Sequence, residues 1–228
     1  GFGDPRTGES PYAEWPCLDA AAQSFGGLVY ANDNLVTPAL ADIFSGTLMG
    51  LGVVSAIHHA KKTGKGQFLD VSMYDAMMAF QKSAVAQYGF TGKPNPAGLQ
   101  RAMTLYPFDL FPAKDGRVSI AVGNPHHWDL LCAAMDRADL MTDERSASNA
   151  ARLENVDWVE EQICSWTTKH TRAEIMGKLN GTIPAGPGQN MADIYEDPHV
   201  EARGMLELCD PGGDNPEISL AANPIKFR

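Results

Sequence analysis

The chain has 228 residues, of which 44% are apolar and 20% charged, as is usual for an ordinary globular protein. Its formal net charge of −10 argues against a nucleic-acid partner, because phosphate binding requires clustered Lys and Arg. The four cysteines are far apart and form no C-x-x-C pair, which favours a reduced, cytoplasmic protein. We see no signal peptide and no apolar run approaching about 18 residues, and we therefore expect no membrane span.

A loop and a short helix are predicted to open the chain. Gly, Pro, Thr and Ser dominate residues 1–14, which is typical of a loop. Residues 17–29 are small and apolar, and Gly26 and Gly27 are suited to close a helix there.

A long helix is predicted from Pro38 to about residue 63. Proline is favoured at the first helical position, and apolar residues then recur at helical spacing. Lys61 and Lys62 complement the negative end of the helix dipole, and Gly64 suits the residue just past a helix end. Asp42 lies in the first turn, where the dipole favours a carboxylate.

Three glycines leave one face of this long helix almost bare. They are Gly46, Gly50 and Gly52. We expect this face to pack closely against another backbone.

A strand, a second helix and a linker are predicted to follow. Residues 67–71 are assigned to a short strand, and Ser72-x-x-Asp75 is a variant capping box that opens a helix ending near Tyr88. Residues 89–99 are rich in Gly, Pro and Asn and are assigned to a linker.

The rest of the chain has a different pattern. Two strands, 106–111 and 117–122, are predicted across a turn at residues 114–116. Three helices should follow, at 124–135, 155–166 and 171–181, so that residues 101–182 form a small α+β domain. From residue 183 we expect a short extended piece, a helix and a final loop.

Short motifs also occur in a fixed order along nearly the whole chain. They include Gly1-Phe2-Gly3, Ala41-Asp42, Thr63-Gly64-Lys65-Gly66-Gln67, Asp70-Val71-Ser72-Met73, Ile183-Pro184-Ala185-Gly186-Pro187 and Asp197-Pro198-His199-Val200-Glu201. In order and spacing they resemble the class III CoA-transferase family, which includes formyl-CoA and carnitine CoA-transferases and the related alpha-methylacyl-CoA racemases.

The resemblance implies an α/β fold. Residues 1–100 would be part of a Rossmann-like large domain, residues 101–182 the small α+β domain, and residues 183–228 a segment that returns to the large domain. Family members carry a nucleotide-binding half before Gly1-Phe2-Gly3, so we expect this chain to be the C-terminal part of a longer protein. They form interlocked dimers, and the implied partner is a second copy or the N-terminal half of the same protein.

Asp42 is the candidate catalytic residue. From pattern alone, an acid in a first helical turn more often stabilises backbone N–H groups. The resemblance instead places Asp42 at the nucleophilic aspartate of the transferases. It would attack an acyl-CoA thioester, and CoA would pass through an aspartyl anhydride and an aspartyl-CoA thioester to a carboxylic acid acceptor. Coenzyme A is then part of the substrate, and no permanently bound cofactor is expected.

Four further residues are candidates for substrate binding. Asp19 aligns with an acidic position near the family site, and a plain capping role for it is equally consistent with the sequence. Gly26 and Gly27 are candidate N–H donors to the oxyanions of the reaction. Leu18 occupies a CoA-contact position where some transferases carry an aromatic residue.

Two departures from the racemase pattern favour CoA transfer. The racemase histidine would fall at Leu18 and its supporting glutamate near Asn124, and neither residue present can transfer a proton. The alternatives that stay open are an acyl-CoA racemase or isomerase of the same superfamily, or a non-catalytic truncated subunit.

Neighbouring histidines occur twice, at His58-His59 and His126-His127. Adjacent residues on a helix point about 100° apart, so neither pair shares one metal-binding face. We expect no metal site.

Overall fold

The computed structural model describes residues 1–98, 104–179, 181–213 and 215–227. The chain divides into two compact units, Gly1–Gln100 and Arg101–Arg228. The end of the predicted linker and the predicted domain boundary after residue 100 fall within residues 99–103, which lie outside the described residues.

The described part of the first unit contains five α helices and no strand. They are α1 (Asp19–Phe25), α2 (Leu28–Asn32), α3 (Leu40–Thr63), α4 (Met73–Phe80) and α5 (Lys82–Thr91). The prediction of a strand over residues 67–71 is therefore wrong, because a strand needs a hydrogen-bonded neighbour and the described part of this unit offers none. The predicted helix over residues 72–88 is two helices, which break at Gln81.

Small side chains let α1 pack directly on α3 and α4. The core of the unit consists of Ala22, Leu28, Ala41 and Met77, all buried. Gly26 ends α1 where α4 passes, and a Cβ atom on Gly26 would overlap the Cβ of Met77 and approach its carbonyl carbon to 3.3 Å. The closeness of these helices therefore depends on the missing side chain of Gly26.

The predicted loop over residues 1–14 is held against α1 and α4 by aromatic rings. The buried ring of Phe2 lies 5.0 Å from that of Phe25 and 6.2 Å from that of Tyr74. The Met73 N–H donates to the Gly1 carbonyl at 3.0 Å, which ties the chain start to the first turn of α4.

The glycine face of α3 does not meet another backbone in the described part of the chain. A Cβ atom at Gly46 or Gly50 would have nothing within 4 Å, and one at Gly52 would meet the side chain of Leu69 at 2.8 Å. Close packing of this face against another backbone stays a prediction, since the neighbour of Gly52 among the described residues is a side chain.

The long helix α3 is also more apolar than we predicted from the sequence. Its 24 residues are sufficient in length and composition to cross a membrane, although a core helix of a soluble protein passes the same test. The prediction that no apolar run approaches this length is wrong. Only 11% of the apolar window is buried, and Leu51, Val54 and Ile57 are among its exposed side chains.

The second unit combines helices with two antiparallel sheets. One sheet has the order β1-β2-β3, with β1 (Phe108–Ala113), β2 (Gly116–Ala121) and β3 (Ala185–Pro187), and the other pairs β4 (Leu206–Cys209) with β5 (Ile218–Ala221). The helices are α6 (Pro125–Ala134), a 3-10 helix (Ala138–Met141), α7 (Asn149–Glu154), α8 (Val156–Thr167), α9 (Arg172–Leu179), α10 (Met191–Tyr195) and α11 (Pro198–Ala202).

Local sequence signals set most of these elements. The predicted hairpin is confirmed, with Phe111 opposite Val118. The Asn124 side chain caps α6 by accepting the His127 N–H at 2.9 Å. Thr171 and Glu174 form the expected reciprocal capping contacts at the start of α9. The prediction missed α7, a second short helix in the tail, and the β4–β5 hairpin.

The core of the second unit lies between the first sheet and helices α6, α8 and α9. Val118 and Ile120 of β2 face inward and are completely buried, together with Leu131 and Ile163. Trp128 is buried as well, and its indole N–H donates to the Leu140 carbonyl at 3.2 Å. This core is separate from that of the first unit.

We predict that Gly26→Ala destabilises the first unit, whereas Gly46→Ala does not. The new methyl at position 26 must displace α4, and overpacking of this kind costs about 1–3 kcal/mol. At Gly46 the methyl enters open space within a helix, where Ala is favoured over Gly by about 0.5–1 kcal/mol. Urea unfolding followed by far-UV circular dichroism measures both. Equal midpoints for the two variants would show that α1 and α4 are not in close contact.

Candidate active site

The N-terminus of α3 is stabilised by a carboxylate that is distant in sequence. Ala39 occupies the cap position and has no side chain able to accept a hydrogen bond. Instead, Oδ1 of Asp19 accepts the Ala41 N–H at 2.7 Å. Asp19 thereby satisfies one of the backbone donors that a helix start leaves unpaired, and it lies at the positive end of the α3 dipole.

The second oxygen of Asp19 is held by a buried amide. Oδ2 accepts a hydrogen bond from Nε2 of Gln23 at 2.8 Å. Gln23 is 0% exposed, and its amide also donates to the Val36 carbonyl at 2.8 Å and accepts the Val36 N–H at 3.0 Å. Because a buried polar group left without partners is costly, this network fixes α1 against the segment that leads into α3.

Asp42 follows the capped residue and has no hydrogen bond to this network. Its side chain is exposed and makes no hydrogen bond or ion pair with the described residues. Ala41 and Ser45 are the buried members of the same helical turn, and Ser45 Oγ donates to the Ala41 carbonyl at 2.7 Å. The turn thus presents Asp42 on its outer side with a carboxylate available to a ligand.

The two carboxylates therefore differ in what they contact. Both oxygens of Asp19 have protein partners, whereas the carboxylate of Asp42 has none among the described residues. The structure brings Asp19 to the helix start that carries Asp42. A positioning role for Asp19 and a chemical role for Asp42 stay predictions.

The two glycines lie at the opposite end of α1 from Asp19. The N–H of Gly26 donates to the Ala22 carbonyl at 2.9 Å, and that of Gly27 to the Ser24 carbonyl at 3.2 Å. The Gly26 carbonyl accepts from Nε2 of Gln81, the residue at which α4 and α5 meet. In this conformation both N–H groups are occupied by backbone partners.

Leu18 and Asn124 are the positions that were compared with the proton-transfer residues of racemases. Leu18 is 79% exposed at the start of α1 and has no titratable group. Asn124 caps α6. Within the described residues, no group of three or more His, Cys, Asp and Glu side chains could hold a metal ion.

Gln23 is the site residue that sequence reasoning missed as a functional contact. The available signal was its spacing, because residues four apart on a helix lie side by side, and a Gln at that distance from an Asp can bond to it. Its contact with Val36 depends on the tertiary fold and has no local signal.

The comparison with known protein families decides the identity of the chain. The model of the family described as "CoA-transferase family III" matches residues 1–228. The chain belongs to CoA-transferase family III.

Individual CoA-transferases resemble the chain in sequence. The chain is 38% identical over 233 residues to a succinyl-CoA:mesaconate CoA-transferase of Haloarcula hispanica, and 31% identical over 235 residues to an acetyl-CoA:oxalate CoA-transferase of Acetobacter aceti. Each match covers 100% of this chain but 58% of the relative.

A solved structure of a CAIB/BAIF family protein from Brucella suis matches 100% of the chain and 59% of that protein, with a TM-score of 0.78 and 29% identity. This match confirms the predicted mixed helix-and-sheet fold of the family.

We predict that Asp19→Ala destabilises the chain by about 1–2 kcal/mol, since the start of α3 loses its cap and Gln23 loses a partner. Asp75→Ala is the matched control, because Asp75 is an exposed first-turn acid of α4 whose carboxylate has no hydrogen-bond partner among the described residues. It should cost at most about 0.3–1 kcal/mol. Urea midpoints compare the two, and an Asp19→Ala midpoint no lower than that of the control contradicts the capping role.

Proposed function

We propose that the protein takes part in CoA transfer from an acyl-CoA thioester to a carboxylic acid, with Asp42 as the covalent nucleophile. The observation that carries the proposal is the free carboxylate of Asp42 at the start of a 24-residue helix, held in place by the separate carboxylate of Asp19. The family membership and the names of the relatives supply the reaction type.

The first half of the reaction would remove CoA from the donor. An Asp42 oxygen attacks the thioester carbonyl carbon, the C–S bond breaks, and CoA leaves as a thiolate with a mixed acyl–aspartyl anhydride behind it. The thiolate then attacks the aspartyl carbonyl carbon, which releases the donor acid as a carboxylate and leaves an aspartyl-CoA thioester.

The second half would mirror the first. The acceptor carboxylate attacks the aspartyl-CoA thioester, CoA leaves again as a thiolate, and a second anhydride forms. Attack of the thiolate on the acceptor's acyl carbon completes the new thioester and restores the Asp42 carboxylate. No proton transfer is required, which agrees with the absence of a titratable side chain at Leu18 and Asn124.

Each addition step passes through an oxyanion that needs hydrogen-bond donors. Gly26 and Gly27 were the sequence candidates, and they would serve only if their present bonds to Ala22 and Ser24 were exchanged. Asp42 lies in the first turn of α3, whose dipole favours negative charge, and Asp19 occupies the Ala41 N–H but not the other donors of this turn. We propose that this helix end contributes to oxyanion stabilisation.

We predict that Asp42→Asn lowers CoA transfer by at least about a thousandfold, roughly 4 kcal/mol, while the protein stays folded. The amide is similar in size but is a poor nucleophile. Asp75→Asn is the matched control, because it replaces an exposed first-turn acid of another helix, and it should keep normal transfer.

Hydroxylamine added after incubation with an acyl-CoA should convert Asp42 to a hydroxamate in the wild-type protein, which peptide mass spectrometry detects. Label at another carboxylate, or near-normal transfer by a folded Asp42→Asn protein, rules out the assigned nucleophile.

We further propose that a protein partner covers the exposed face of α3, either a second copy or the N-terminal half found in the family. The exposed side chains include Leu51, Val54 and Ile57, and a monomer rarely leaves an apolar face of this length open. An interlocked dimer and a cytoplasmic location stay predictions.

We predict that the isolated chain scatters light as a species heavier than 24.6 kDa. Val54→Lys should shift it toward one chain, because a lysine at the centre of an apolar contact is costly to desolvate. Ser165→Lys adds the same charge at an exposed position of α8 and should change nothing. A compact single-chain species in the wild type would contradict the proposed contact.

A further inference from the structure

A cavity in the second unit adjoins a buried arginine. It measures about 260 Å³ and opens between the start of α6 and the segment before α7. The cavity is lined mainly by apolar groups, including those of Leu105, Val122 and Ala147. Arg152 is the charged residue of the lining. The volume lies below the ~300–1,000 Å³ of pockets for drug-sized ligands, which suits a small organic molecule better than a whole CoA ester.

The Arg152 guanidinium is held by hydrogen bonds, but it forms no ion pair with a described residue. It is only 2% exposed; its Nε donates to the Tyr106 carbonyl and its Nη1 to the Ser146 carbonyl, each at 2.7 Å. Its guanidinium also lies over the Trp128 ring, 4.7 Å from the centroid. Both hydrogen-bond acceptors are uncharged, and Nη2 makes no hydrogen bond to the described residues.

The other arginines with ion pairs in this unit show the contrast. Arg137 pairs with Asp139, Arg145 with Asp143, and Arg172 with Asp115 and Asp193. All three are more exposed than Arg152, which has no ion pair among the described residues. Burial lowers the pKa of the Arg152 guanidinium, and the charge of Asp129 offsets this lowering only in part.

An anion is the ligand that completes this arrangement. A guanidinium with free N–H groups binds a carboxylate through short, charge-assisted hydrogen bonds. The start of α6, at Asn124 and Pro125, borders the same cavity and adds the positive end of a helix dipole. Apolar walls beside a single cation are suited to a carbon chain that ends in a carboxylate.

We propose that this cavity binds a carboxylate of a small dicarboxylic acid through Arg152. The choice of acid rests on the proposed function: mesaconate and oxalate, in the names of the relatives, are dicarboxylic acids, and each keeps one free carboxylate when CoA is attached to the other.

Binding is tested directly on the protein with succinate as the probe and dimethyl succinate as its uncharged match. In nitrogen-15 NMR spectra of the wild-type protein, succinate should shift the amide signals of Gly123, Ala147 and Arg152, and the diester should not. If succinate shifts none of these amide signals, the proposal is overturned, and no variant is needed to show this.

Two exposed alanines offer a matched pair of variants. Ala147 lines the cavity, and Ala150 lies three residues further on, in α7, outside the lining. Ala147→Glu places a competing carboxylate at the cavity and should weaken succinate binding about tenfold or more. Ala150→Glu adds the same charge and should leave the affinity unchanged. Equal affinities in the two variants overturn the proposal.

The outcome can be separated from that of the proposed function. Asp42→Asn should bind succinate at this cavity as the wild type does, even if it transfers no CoA. Succinate binding without wild-type transfer activity would refute the proposed reaction alone, and transfer activity without binding at the cavity would refute the cavity assignment alone.

Discussion

The hydrogen bond between the Asp19 carboxylate and the Ala41 N–H is the contact on which the candidate site depends. It joins residues 22 positions apart and replaces the local cap that Ala39 cannot provide. Gln23 holds the other oxygen of the same carboxylate and is itself fixed by Val36, so α1 and the start of α3 form one rigid piece. The position of Asp42 follows from this piece, since its own side chain makes no hydrogen bond or ion pair with the described residues.

The cores of the two units are built from side chains of different sizes. The first unit relies on very small residues, Ala22, Gly26 and Ala41, which bring helices together but bury little apolar area. Much of α3 stays exposed as a result. The second unit has a conventional core of large side chains around Trp128, Leu131 and Ile163 between sheet and helices. Among the described residues of this unit, Arg152 is the buried cation without an ion pair, and it is conspicuous because an apolar core of this kind gains nothing from a charge.

The sequence predicted the elements whose signals are local. Asn124 and the Thr171–Glu174 pair marked two helix starts, and the hairpin between β1 and β2 followed from two strands around a Gly-containing turn. It failed where the cause is tertiary. The start of α3 is capped from α1, and the helix predicted over residues 72–88 breaks at Gln81, whose side chain bonds to Gly26. Residues 67–71 have no strand to pair with in the described part of their unit. Asp42 was predicted through family resemblance alone, since its local pattern more often belongs to an ordinary first-turn acid.

The two hydrogen bonds between Gln23 and Val36 join residues 13 positions apart and close a loop that contains α2. Both ends of this loop are fixed next to the network that positions Asp42. Residues added near Asn34 would therefore lengthen the loop without moving either end, and doubling a flexible loop costs only about 0.6 kcal/mol in closure entropy. Natural insertions, or a reporter peptide placed by design, are best accommodated at this point, where the extra length would not displace the start of α3.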